Sequence, residues 1–194
     1  MKLKLPEIDH VNFYPVEGIA LFIDKISERP MHITNYDTKE RSDGPKLIFT
    51  RSAVENSLPT LLGQGFCAQQ AVAEHGVPRS NAGIVTEAWI DDNKLMVRGG
   101  IYGMHTHFPE VIAALEKGGL GLCPSFHDTL FDHKNLPEYI TVRHTTFTGV
   151  NIIHSWATSF DNTKIWLTKR SYVAMTDTED LENQRVQRAT FLGA

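Results

Sequence analysis

Alternation of apolar and polar positions is the strongest regular signal along this chain. Residues 84–91 (IVTEAWID) and 94–102 (KLMVRGGIY) both alternate, with Asp92-Asn93 between them. Successive side chains of a strand point to opposite faces, so this pattern predicts a β-hairpin closed by a two-residue turn. Residues 17–24 (EGIALFID) are apolar and β-rich and predict a buried strand. KLIF at 46–49 predicts a short strand, FCAQQAVAEH at 66–75 a second, and KIWLT at 164–168 a last one. Between them, GLCPSFHDTLF and YITVRHTTFTGVNII return to strand character.

Helical spacing occurs in two places. Thr50 is placed to cap a helix that begins near Arg51 and carries Val54, Leu58, Leu61 and Leu62. Pro59 kinks or ends its regular part, and Gly63 and Gly65 close it. PEVIAALEKGG from Pro109 is the clearest helix, with Pro109 and Glu110 in its first turn and Gly118 or Gly119 at its end. Val111, Ile112 and Leu115 form its apolar face. Residues 28–45 and 77–83 are polar and turn-rich, and 28–45 reads as a loop or a strand edge. The tail from Thr176 reads as a terminal helix, capped near Thr176 or Thr178 and docked weakly or on a partner. The pattern predicts an α+β fold, mainly antiparallel β with two or three helices, compatible with a closed barrel or a sandwich. It divides into a β domain over 1–170 and a tail over 171–194.

Composition adds exclusions. A chain of 194 residues with 41% hydrophobic and 22% charged residues is long enough for one ordinary core. A net charge of −4 without a Lys/Arg cluster gives no electrostatic footprint for nucleic acid. The first 25 residues are interrupted by Pro6, Glu7, Asp9 and Pro15 and lack a signal-peptide apolar core. No run approaches the roughly 20 apolar residues of a membrane span. A soluble cytoplasmic protein with no membrane contact is expected. Cys67 and Cys123, far apart in sequence, read as reduced core thiols rather than a disulfide framework.

Chemistry is concentrated between His75 and His144. His75 ends a strand candidate and precedes a turn. Ser125 follows a helix, a Gly-Gly turn, Gly121 and Pro124, a segment in which backbone amides can approach a ligand. His127 lies two residues further, on the same strand face, and His144 on the next strand candidate. A serine hydroxyl becomes nucleophilic when a base takes its proton, and histidine suits that base. The bland alternative is a turn serine and rim histidines. A second constellation is His105-Thr-His107, which with His127 or His144 makes a three-histidine metal site with an open position. Phe108-Pro109 follows at once, which places that pair in a loop entering the helix. Cys123 precedes a proline and reads as a buried thiol.

Three segments carry a family resemblance: HGVPRSNAGIVTEAWIDDNKLMVRGGIY, EVIAALEKGGLGLCPSFH and FTGVNIIHSWATSFDNTKI, with the opening EGIALFIDKISERP as a fourth. Their order and spacing resemble the motifs of tailed-phage prohead maturation proteases over roughly residues 17 to 168. That family is similar in fold to the herpesvirus assembly proteases, which use a Ser-His-His triad on a partly open β-barrel flanked by helices. The resemblance implies Ser125 as nucleophile and His75 as general base. Many relatives place a Glu where this chain has Gly149, so the third member falls to His144 or His127, with His144 preferred. It implies no cofactor. Phage scaffold and major capsid proteins are the implied substrates, inside the assembling procapsid in the host cytoplasm. Homodimerisation through the helix at 109–118 or the C-terminal one is also implied. Family members often carry a C-terminal scaffold region; here scaffold would be encoded separately, or the chain is a processed form. Two other functions stay open: a catalytically silent, protease-fold capsid assembly protein, and a metal-binding hydrolase using His105 and His107.

Overall fold

A computed structural model describes residues 2–6, 12–30, 32–34, 41–68, 80–104, 108–127 and 138–168. In chain order the strands are β1 (Lys2–Lys4), β2 (Phe13–Phe22), β3 (His32–Thr34), β4 (Arg41–Asp43), β5 (Lys46–Phe49), β6 (Gly65–Ala68), β7 (Ser80–Asp91), β8 (Lys94–Tyr102), β9 (Leu120–His127), β10 (Tyr139–Val142), β11 (Thr146–His154) and β12 (Ile165–Leu167). Helix α1 (Arg51–Leu61) lies between β5 and β6, and α2 (Phe108–Glu116) between β8 and β9. Eight strands form one sheet in the order β12-β2-β8-β7-β6-β11-β9, with β1 added against β7. All its pairings are antiparallel except β6 with β11. Two small sheets stand apart, parallel β5/β10 and antiparallel β3/β4.

The fold is α+β, and the large sheet curls into a half-barrel around its core. Gly18 on β2 marks how tightly the curl closes. A Cβ there would lie 2.5 Å from the Lys164 carbonyl oxygen and 2.6 Å from Leu122 Cδ1, so glycine lets β9 lay Leu122 against β2. Val16, Val85, Val97, Leu120, Leu122, Val150 and Ile152 fill the interior. Among the described residues no helix is long and apolar enough to cross a membrane.

Both helices begin and end where local chemistry stops them. Thr50 Oγ1 accepts from Ala53 N–H at 3.3 Å, which caps α1. Its buried side, Ala53, Val54, Ser57, Leu58 and Leu61, faces the core, and Ser57 Oγ donates to the Ala53 and Thr145 carbonyls. Pro59 is accommodated inside the last turn. At the end of α2, Gly118 takes φ +72°. Its N–H reaches Leu115 O at 3.0 Å while Gly119 N–H reaches Ala114 O at 3.3 Å, a Schellman termination.

The β7–β8 hairpin forms as its alternation requires, and Asp92 turns it at φ 53°. Two expectations change. Ser80–Gly83, placed by composition in a turn, starts β7: Asn81 pairs with Cys67, and a bulge between Phe66 and Cys67 absorbs the irregularity. The run YITVRHTTFTGVNII is two strands. β10 joins β5, β11 joins the main sheet, and Arg143–Thr145 between them is not strand. Thr145 turns inward there, its hydroxyl donating to His127 O at 3.4 Å. His144 therefore sits in a turn rather than on a strand. The expected tail over 171–194 lies outside the described residues, as do Gln69–His75 of the second strand candidate.

The outer side of the hairpin carries a charge ladder across four strands. Glu17 of β2 pairs with Arg98 of β8, Arg98 with Glu87 of β7, and Glu87 with Lys2 and Lys4 of β1. Lys2 also lies 4.5 Å above the Trp89 ring. Glu87 is buried, which by itself would raise its pKa. Lys2, Arg98 and Lys4 more than offset this and hold it below the ordinary carboxylate value.

Candidate active site

Ser125 stands on β9, the terminal strand of the main sheet. Strand alternation puts Gly121, Cys123, Ser125 and His127 on one face, opposite the core residues Leu120 and Leu122. Phe126 points to the core side and packs edge-on against Phe49, with ring centroids 5.3 Å apart. Along the outer face exposure rises in sequence order: Gly121 and Cys123 are buried, Ser125 half-buried, His127 exposed. The cause is a cover over the first half only. Residues 158–163 cross that face, so that a Cβ on Gly121 would meet Thr158 Cγ2 and Thr163 O at 2.8 Å. Cys123 Sγ lies 3.8 Å from Ser159 Oγ under the same cover. Ser125 is the next residue of that face beyond it.

Across the ladder Ser125 faces Gly149 and Cys123 faces Asn151, while Asn151 also pairs with Cys67 of β6. Facing residues share a side of the sheet, so three strands present a patch of small side chains around the serine. Asn151 Nδ2 donates to Ser125 Oγ at 2.8 Å and to the Cys123 carbonyl at 3.1 Å. A peptide oxygen only accepts, so the amide atom facing it is the nitrogen. Ser125 is thereby an acceptor. Ser27, Ser57, Thr158 and Thr163 instead donate their hydroxyls to main-chain carbonyls. Among the described residues no acceptor takes the Ser125 hydroxyl hydrogen.

Gly149 leaves the position opposite the serine without a side chain. A Cβ there would find the Gly65 carbonyl at 3.5 Å and Cys67 Sγ at 3.8 Å, ordinary contact distances, so the room is real. The two cysteines are reduced and buried. They flank Asn151 on neighbouring strands, about 10 Å apart at Cα from the inter-strand spacing, beyond the roughly 7 Å a disulfide can bridge. Burial pushes the Cys123 thiol up, and the Ser159 hydroxyl and backbone offset this only in part. The thiol stays protonated at neutral pH, which removes Cys123 as a nucleophile.

Of the histidines singled out by sequence, His127 shares the serine's face, one alternation away, about 7 Å along the strand. His144 leaves the ladder beyond the His127 end of the site, because Thr146 is already level with His127. His75 lies outside the described residues. The segment that carries it is bounded by Ala68 and Ser80, which pair with each other. His105 and His107 also lie outside them. Among the described residues no group of three or more His, Cys, Asp or Glu is gathered that could hold a metal ion.

Asn151 was not singled out by sequence. Its signal is a lone amide inside the apolar run VNII of β11, two residues after Gly149 and therefore on the same face. A polar side chain there needs partners, and here it finds two. In comparisons with known proteins, no family model, no curated protein and no solved structure matches the chain.

Proposed function

We propose that the protein is a serine endopeptidase that processes scaffold or major capsid protein during phage procapsid assembly. The observation that carries the proposal is the state of Ser125. Its Oγ is half-buried, oriented from its acceptor side, opposite a vacant position, and its hydrogen is unclaimed among the described residues. A nucleophilic serine must give its hydrogen to a base, and no carbonyl among the described residues takes that of Ser125. The half-barrel flanked by two helices is compatible with the partly open barrel of the herpesvirus assembly proteases.

His75 is the proposed base. Ser80 of β7 is five residue steps away, a reach of at most about 17 Å, and β7 lies three strand spacings, about 14 Å, from β9. In the proposed reaction Ser125 Oγ bonds to the scissile carbonyl carbon as its proton passes to His75. The imidazolium then protonates the leaving amine, and water repeats the cycle on the acyl-enzyme. His127 or His144 orients the base; the same-face position of His127 favours it. The site would act inside the procapsid in the host cytoplasm, where confinement raises the effective substrate concentration.

A second reading is favoured by one observation. Gly149 offers no carboxylate, and the group that meets Ser125 is an amide donor rather than a base. A catalytically silent assembly protein of the same fold would show this. Co-expression with phage scaffold and major capsid proteins separates the two. Wild type is expected to cleave its partners and Ser125→Ala to lose about a million-fold of rate. Partners that stay intact yet co-assemble with both proteins would establish the silent role.

A further inference from the structure

We propose that Asn151 is the positioning residue of the Ser125 nucleophile. It holds Oγ from the acceptor side so that the hydroxyl hydrogen is left for the base. The inference rests on the assignment of Ser125 as nucleophile.

Hydrogen-bond arithmetic carries it. The Asn151 amide has two hydrogens, and both are engaged: one on the Cys123 carbonyl at 3.1 Å, one on Ser125 Oγ at 2.8 Å. The first bond fixes the amide to the strand that bears the serine, two residues upstream. The second is therefore aimed by the backbone of β9 itself. Buried Cys67 and Cys123 stand on either side of Asn151, which is itself half-buried. Satisfying Asn151 for the sake of stability alone would place no demand on the serine. The geometry places the second hydrogen on a hydroxyl whose own hydrogen no acceptor takes among the described residues.

During acyl transfer the Ser125 proton leaves for the general base. The freed Oγ pair forms the bond to carbon, and the carbonyl π pair moves to its oxygen. Asn151 keeps both hydrogens throughout. Its bond to Oγ is strongest while Oγ carries most charge, between O–H cleavage and C–O formation. It therefore lowers the barrier of the attack and leaves substrate affinity unchanged.

The test is the rate at which a fluorophosphonate ester phosphonylates Ser125, followed by intact mass and divided into kinact and KI. There Oγ bonds to phosphorus, fluoride leaves and the base takes the proton. The variants are Asn151→Leu, which keeps the shape without donors, and Asn151→Asp. At neutral pH both should lose about ten- to a hundredfold in kinact, with KI changed less than about twofold. A protonated carboxyl can again donate. The rate of Asn151→Asp relative to wild type should therefore rise as pH falls through the carboxylate range, which a packing role would not produce. If Asn151→Leu melts early, the Asp variant and its pH ratio carry the test. Wild type that resists labelling would overturn the nucleophile assignment and this inference together. Wild type that labels while both variants keep kinact within about threefold would overturn this inference alone.

Discussion

Two glycines in the same sheet have opposite demands, and each can be checked by one methyl group. At Gly18 a Cβ collides with the Lys164 main chain at 2.5 Å. Gly18→Ala should cost about 1–3 kcal/mol in urea denaturation. At Gly149 the nearest atom is 3.5 Å away. Gly149→Ala should leave stability unchanged or raise it by up to about 1 kcal/mol, through the lower entropy of the unfolded chain. That contrast makes the vacancy opposite Ser125 a feature of the site rather than a packing necessity. Sequence exposed the serine and its neighbour His127, because a strand's period of two needs no third dimension. It did not expose Asn151, whose importance depends on the register of β11 against β9. That register includes a bulge between Phe147 and Gly149 that no local pattern announces.

Among the elements, those governed by local chemistry were legible. β5 follows KLIF, α1 starts at its threonine cap, α2 ends at Gly118, and the β7–β8 hairpin follows its alternation. Thr50→Ala should lower stability by about 1 kcal/mol by removing that cap. The elements that sequence mis-set are those decided by distant partners. Ser80–Gly83 reads as a turn until Cys67 and Ala68 offer it a ladder, and YITVRHTTFTGVNII breaks only because its halves join different sheets. The strand β1 is held by charge as well as by its ladder hydrogen bonds. Glu87 is more acidic folded than unfolded, so its contribution is complete above the unfolded value of about 4.5 and is lost as pH falls through the depressed folded value. Melting temperature against pH should therefore show a shallower acid limb for Glu87→Gln than for wild type. Parallel acid limbs would refute the role of the ladder.

For the whole molecule, the curl of the sheet places the candidate nucleophile. The 158–163 segment closes over Gly121 and Cys123 and stops short of Ser125, so the same closure that buries the core leaves the serine at the margin. Fold class was legible because alternation dominates the chain; the closure was not, since it depends on Gly18 meeting Leu122 from more than a hundred residues away. Both cysteines are buried without a disulfide, so reductant should leave the melting temperature unchanged, and thiol reagents should react only as fast as the fold opens. The central claim is that this closure presents Ser125 as a nucleophile. The most direct measurement is intact mass and peptide mapping of the purified protein after a fluorophosphonate ester. The account predicts a single adduct, located on Ser125 and absent from Ser125→Ala. No adduct, or one that persists in Ser125→Ala, would contradict it.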